Sequence, residues 1–504
     1  MARKLAIVAG VVVVVLVVFG LVVRRMVDPE VVRAAVEQQA SAALGQPVKV
    51  GAVDWALSAR PRIVLTNVQV GSPAAIALNR VEVSTGLRAL LSKRVERGGV
   101  VISGSRISLP LPFALGGTTG RSSTPTSDAA AGLTFASIDR ISLSDIDLAV
   151  GNAHLKLDLE SSLSGDRLVV SRVRLRSDRT SLDGTGEVTS LAARKSSFTV
   201  TGDPLDLDEL LTIASGVTGS TSGGATAPAA VPATSSPIDL RMEIKSPKGR
   251  LLGIDFANLT TTLAVTRDGL ALEPFSVGLF DGTLAGRLGV DTDREPSEMT
   301  LAATVEAIDV AKAAAFAGSS GVMTGRLGGQ LELRAAGGAP DIVFRTANGR
   351  ATLTIKDGSM PGLDLVGPVI LAFGKPDPGK ATERSRAFST LGGTFALSGG
   401  LLRSDDLSMS SRDLDMKGRG TLRVAGAVVD LKADLLLSEA LSSQAGRDLQ
   451  KYAHDGSRVV VPATITGSLA SPKVSIDLGA AAGRAIRNAA EDEVKKGLGR
   501  LLKH

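Results

Sequence analysis

The chain has 504 residues, enough for two to four ordinary domains, and contains no cysteine, which excludes disulfides, thiolate metal sites and cysteine nucleophiles. Its hydrophobic content is 44% but aromatics make up only 3%, so the apolar material is aliphatic and flat rings for base stacking are scarce. The net charge of +6 is dispersed along the chain, which suits an anionic membrane surface at least as well as nucleic acid, and no basic cluster is interleaved with aromatics.

The first element is apolar. Leu5 to Val23, "LAIVAGVVVVVLVVFGLVV", runs nineteen residues without a charge, just long enough to cross a hydrocarbon core as a helix. The "RRMVDPE" that follows offers no small-residue cleavage site, so residues 1–27 are expected to be an uncleaved transmembrane anchor with basic flanks. Arg3 and Lys4 precede the run and Arg24 and Arg25 follow it, so charge alone does not orient it. No second apolar run matches its length, which leaves about 480 residues on one side of the membrane. A short helix comes next, with Asp28 as cap, Pro29 in the first turn, Gly45 and Pro47 at the end, and a stripe of Val32, Val36, Ala40 and Ala43.

Beyond Val48 the hydrophobic period becomes two. "HLKLDLE" sets Leu155, Leu157 and Leu159 against Lys156, Asp158 and Glu160; "VVDLKADLLL" sets Val429, Leu431, Ala433, Leu435 and Leu437 against Asp430, Lys432 and Asp434. The predicted fold class is mainly β: a long curved antiparallel sheet or groove with a few short helices. Asp183-Gly184, Asp268-Gly269, Asp281-Gly282, Asn348-Gly349 and Asp357-Gly358 are expected as hairpin turns. Two stretches, 116–132 and 215–237, have the composition of flexible insertions. They separate a helix and β region (28–115), a β-rich middle (133–214) and a C-terminal β region (238–479). An amphipathic helix is expected over 480–504, with Ile486, Ala490, Val494, Leu498 and Leu501 in its stripe.

The glycine-rich "FSVGLFDGTLAGRLGVD" (275–291) reads as a hairpin rather than a phosphate loop. With Asp281-Gly282 as a two-residue turn, Leu279 faces Leu284, Val277 faces Gly286 and Phe275 faces Leu288, which puts the apolar residues on one face. "VILAFGKPDPGKAT" places Gly374, Gly379 and Lys380 at phosphate-loop spacing, but Ala381 replaces the hydroxyl residue that would hold magnesium. Pro376 and Pro378 also lack amide hydrogens, and an exposed loop is the expectation there. The three histidines, His154, His454 and His504, have no metal-ligand spacing and leave a serine nucleophile without an evident base. Asp405-Asp406 and Glu491-Asp492-Glu493 read as solvated surface. No catalytic residue, metal or cofactor is assigned, and the chain is not expected to be an enzyme.

The aliphatic face has two readings: the core of a closed sandwich or barrel, or an open groove filled by something oily, since large uncovered apolar patches are unfavourable in water. Candidate groove residues are Phe275, Val277, Leu279, Leu284 and Leu288, then Leu431, Leu435 and Leu437.

Two stretches resemble a known family. "ASAALGQPVKVGAVDWALSARPRIVLTNVQVGSP" (40–73) resembles the opening of AsmA-family proteins. "RSRAFSTLGGTFALSGGLLRSDDLSMSSRDLDMKGRGTLRVAGAVVDLKADLLL" (384–437) and "VVVPATITGSLASPKVSIDL" (459–478) resemble the AsmA C-terminal region. The resemblance implies an anchor in the inner membrane of a Gram-negative bacterium, with the bulk of the chain in the periplasm. It also implies similarity to the bridge-like lipid transfer proteins, whose β-groove carries phospholipid tails between membranes. The expected partners are membrane phospholipid, the inner membrane and the outer membrane or its proteins, with no nucleic acid. The expected function is phospholipid transport to, or assembly of, the outer membrane. The alternative is a non-enzymatic assembly factor that holds outer-membrane protein precursors through exposed strand edges. About 25 strands make a ladder on the order of 100 Å.

Overall fold

The computed structural model describes residues 29–480 apart from 57–59, 73, 87–93, 96–97, 112–133, 136, 192, 219–238, 338–339, 374–385, 445–453, 456–457 and 478, together with residue 483. The expected anchor, the insertion at 116–132, the phosphate-loop look-alike and most of the C-terminal helix lie outside these residues. Among the described residues no helix is long and apolar enough to cross a membrane. The chain divides into two compact units, residues 1–270 and 271–504.

The first unit opens with α1 (Pro29–Leu44), which ends at Gly45 with φ +64° and buries Val36, Ala40 and Leu44. Strands β1 (Val48–Ala56), β2 (Arg62–Val70), β3 (Ile76–Ser84) and β5 (Gly98–Leu109) pair antiparallel in that order. The two-residue strands β4 (Arg94–Val95) and β6 (Thr134–Phe135) form a separate pair. The main ladder goes on through β7 (Ser137–Val150), β8 (Ala153–Ser164), β9 (Arg167–Arg176), β10 (Ser181–Ser190) and β11 (Lys195–Gly202). After β12 (Leu205–Asp206) and α2 (Leu207–Thr218) come β13 (Asp239–Leu251) and β14 (Ile254–Val265), again antiparallel. Two steps depart from the antiparallel expectation. β5 lies parallel to β7, and β11 and β12 lie parallel to β13. Parallel neighbours need a crossover longer than a hairpin turn, and the two low-complexity stretches occur in these two connections.

Strand β15 (Gly269–Leu279) carries the division between the units. The second unit continues with β16 (Gly282–Asp291), β17 (Glu298–Asp309), α3 (Val310–Phe316), β18 (Thr324–Ala336), α4 (Pro340–Thr346) and β19 (Asn348–Ser359). Next are α5 (Val366–Phe373), β20 (Ala387–Ser398), β21 (Leu401–Ser410), β22 (Leu414–Arg423) and β23 (Val428–Leu437). The last elements are α6 (Glu439–Gln444), β24 (His454–Asp455), β25 (Arg458–Ser468) and β26 (Ser471–Ile476). From β16 to β23 each strand pairs antiparallel with the next, and β23, β25 and β26 extend the ladder.

The period-two pattern produces the expected faces. Leu155, Leu157 and Leu159 meet Leu148, Ile146 and Leu143 across the β7–β8 pair. The turns are less well foreseen. Asp183-Gly184 lies inside β10, and both Asn348-Gly349 and Asp357-Gly358 lie inside β19. At Gly349 the glycine serves close backbone approach: a Cβ there would stand 2.0 Å from the Glu332 carbonyl oxygen. The tip of "FSVGLFDGTLAGRLGVD" falls on Phe280 and Asp281, with φ +48° and +59°, one position earlier than expected. Two consecutive positive φ values are the signature of the hairpin turn whose twist matches the strands.

Candidate functional site

The register of the second unit sorts its side chains into two unlike faces. One row across the strands reads Leu284, Val305, Gly329, Leu353, Gly393, and the next but one on the same face reads Leu288, Leu301, Leu333, Gly349, Leu397. A third runs Ile355, Leu391, Met409, Met416, Leu435, Val461. No member of these rows carries a charge. Positions of opposite parity bear the charge, as in Glu332 opposite Arg350 and Lys417 opposite Asp434.

Cover over this apolar face is partial. Met360, Leu363, Leu365, Val366 and Val369 pack on it with Met409, Leu414, Met416, Leu435 and Val461, all buried. The segment from Met360 into α5 is therefore the lid of a closed core at the β21–β25 end. Toward β16–β20 most of the same face is only half-buried: Leu301, Leu331, Leu333, Leu353, Phe395 and Leu397 have neighbours in the sheet but belong to no buried cluster. The first unit repeats the arrangement. Helix α1 joins a core that extends over β1–β3, β5, β7 and β9 with Phe198 of β11 packed at its margin, whereas Val200, Met242, Ile244 and Leu263 in β11, β13 and β14 are half-buried.

The candidate residues divide along this line. Phe275, Val277, Leu279, Leu284 and Leu288 are half-buried, with Leu284 opposite Val305 and Leu288 opposite Leu301. Leu431 is half-buried at the margin of the closed core, between Gly420 and Ile465. Leu435 and Leu437 are different: at 0% and 3% exposure they are covered by the protein's own side chains, so they are core residues and not part of an open surface. Alternation cannot distinguish the two cases, because the lid comes from a segment about 70 residues upstream. The half-buried Leu301, Leu331, Leu333, Leu353 and Phe395 were not singled out; each sits in an alternating run that carries the same signal.

Glycine shapes this face. A Cβ on Gly286 would stand 2.0 Å from the Ala302 carbonyl oxygen and 2.7 Å from Ala303 Cα, closer than real Cβ atoms approach. The register puts Gly286 opposite Ala303, so this pair leaves the β16–β17 face shallow.

Among the described residues, polar groups do not converge on the apolar face. Among the described residues no cluster of His, Asp and Glu could hold a metal ion. His154 Nδ1 lies 3.1 Å from Asp147 Oδ1; this hydrogen bond, with Arg106 3.1 Å from Oδ2, holds the Asp147 carboxyl below the usual carboxylate range. The buried Glu209 carboxylate accepts from the Ser177 and Thr180 hydroxyls at 2.6 and 2.8 Å, which ties α2 to the β9–β10 turn. Lys312 donates to Asp281 at 2.6 Å and lowers its pKa, which ties α3 to the Phe280–Asp281 tip. Each of these is an anchoring contact between elements.

With the geometry established, comparison with known proteins adds one finding. The model of the AsmA family matches residues 1–112 and 133–407, most of the chain. The chain belongs to the AsmA family. No curated protein and no solved structure matches it. In this AsmA-family chain the match spans the first unit apart from residues 113–132 and continues into the second as far as residue 407, so residues 408–504 lie outside it.

Proposed function

We propose that this protein holds phospholipid acyl chains against its half-buried aliphatic faces and so supports lipid transport to, or assembly of, the outer membrane. The observation that carries the reading is the uncharged row Leu288, Leu301, Leu333, Gly349, Leu397, which lies outside the buried core of its own unit. Membership of the AsmA family and a long β-sheet fit such a role in general. An apolar face of this kind needs a cover, and an acyl chain supplies one at about 0.8 kcal/mol for each CH₂ taken from water, with no specific polar contact. The apolar run Leu5–Val23 supports an anchor in the inner membrane with the bulk of the chain in the periplasm, next to a source of lipid. No catalytic step is assigned.

The test is lipid analysis of the full chain purified in mild detergent. Phospholipid is expected to co-purify with the native chain and to be lost from Leu333→Glu and Leu353→Glu, both with native circular dichroism. Equal phospholipid in the native chain and these folded variants, or none in the native chain, overturns the reading.

A further inference from the structure

Among the described residues, four of the five large exposed hydrophobic side chains of the second unit lie along one rim of its sheet, and the fifth, Phe316, lies at the opposite rim. Ile342 in α4 is 40% exposed, Leu401 at the start of β21 39%, and Val424 and Val428 at the β22–β23 tip 37% and 42%. The rim is one and the same, because Asn348 pairs with Ser398, Ser398 with Leu401, Leu401 with Arg423, and Arg423 with Val428. The β22–β23 tip reads Arg423-Val424-Ala425-Gly426-Ala427-Val428. Hairpin tips usually carry Asn, Asp or Ser, which bond their own backbone and face water; this one holds no polar residue between its strands.

Charge supplies the second observation. The two register rows nearest this rim, on the charged face, hold Arg334, Arg423, Arg350, Arg403 and Lys473, all exposed. Their carboxylates are Glu332 and Asp430; the β16–β17 end of the same rim is acidic, with Asp291 opposite Glu298 and Asp293 and Glu295 in the turn, so the basic excess lies from β18 to β26. Arg403 is offset by Asp405 at 3.3 Å, one position further in, while Arg423 makes no ion pair among the described residues. A contrasting tip exists in the first unit. Leu252, 71% exposed at the β13–β14 turn, has no basic excess around it: Asp208 accepts from its backbone N–H at 2.6 Å, and Asp255 lies 3.9 Å from Arg250.

We propose that the rim formed by Leu401, Val424 and Val428 around Arg423 docks on the surface of an anionic lipid bilayer. The aliphatic tips enter the boundary between headgroups and acyl chains, and Arg423, with Arg403 and Lys473 behind it, meets lipid phosphates. This surface is distinct from the acyl-chain face and does not depend on it, since it lies on the charged face.

The cysteine-free sequence makes the test direct. Full chain carrying Val424→Cys or Val428→Cys, labelled with a polarity-sensitive dye and held in a neutral nanodisc, is mixed with vesicles of phosphatidylglycerol and phosphatidylcholine or of phosphatidylcholine alone. The expected result is a blue shift with the anionic vesicles only, suppressed by high salt, and absent from Leu252→Cys labelled in the same way. Arg423→Gln should weaken vesicle affinity roughly fivefold and Arg423→Glu more, each with native circular dichroism. No shift at either rim position, an equal shift with neutral vesicles, or an equal shift at Leu252 overturns the proposal.

Discussion

At the scale of single residues, the glycines and leucines of "FSVGLFDGTLAGRLGVD" show how much depends on the strand next door. Gly286→Ala pushes a methyl group into the Ala302 carbonyl, so it should cost roughly 1–3 kcal/mol as overpacking does elsewhere. Gly289→Ala, whose nearest contact would be Thr300 Oγ1 at 3.1 Å, should cost much less. Urea unfolding of the two variants separates them. Leucines obey a parallel rule. Leu435→Ala removes atoms from a closed core and should lower stability by about 2–5 kcal/mol. Leu333→Ala, on the half-buried stretch, should cost clearly less in the same assay. Equal losses would mean that the Leu333 face is packed like the core.

Elements explain how so long a ladder covers part of its edge and keeps its register. The outer edge of β1 is a ready template for another strand, and α1 occupies part of it. Glu37 Oε1 accepts from the Val50 N–H at 2.7 Å and Ser41 Oγ accepts from the Val48 N–H at 2.9 Å. A chain with Glu37→Ala and Ser41→Ala frees both donors, and light scattering should show faster aggregation. Register is also fixed at the paired irregularities of β20, β21 and β22. Asp406 Oδ1 accepts from the Thr394 N–H at 2.7 Å and from the Ser404 hydroxyl at 3.1 Å. The Thr394 backbone bond, chiefly, holds the Asp406 carboxyl below the usual carboxylate range. A lowered folded-state pKa means that this contribution to stability is present above the ordinary carboxylate pKa of about 3.9. It is lost as the pH falls from there through the lower folded value. Asp406→Asn should therefore lower stability at neutral pH and flatten the loss on acidification; an unchanged slope below pH 4 would remove Asp406 from the account.

For the whole molecule, lipid binding and stability should be linked. A ligand that covers an exposed aliphatic face binds only the folded state and raises its melting temperature with concentration. Delipidated chain should melt earlier than chain to which phospholipid has been returned, and the gap should shrink in Leu333→Glu. No gap in the native chain would count against an acyl-chain role for these faces.

Much of this was legible in the residues themselves. "HLKLDLE" and "VVDLKADLLL" state their faces, because side chains on a strand alternate whatever lies beside it. Pro29 and Gly45 bound α1 for equally local reasons. The turns were less legible, because Asp-Gly can close a hairpin or, as in β10 and β19, sit within a strand where a neighbour comes close. The parallel steps at β5–β7 and β11–β13 also escape local reading, since no residue states the direction of its partner.

Strands with one aliphatic and one charged face, and a chain without cysteine, follow from the amino-acid sequence alone. Only the tertiary structure decided which part of the aliphatic face is core. The Met360–Val369 segment buries Leu435 and leaves Leu333 half-open, although the two share the same pattern. Alternation is a property of one strand, whereas cover is contributed by residues far away in the chain.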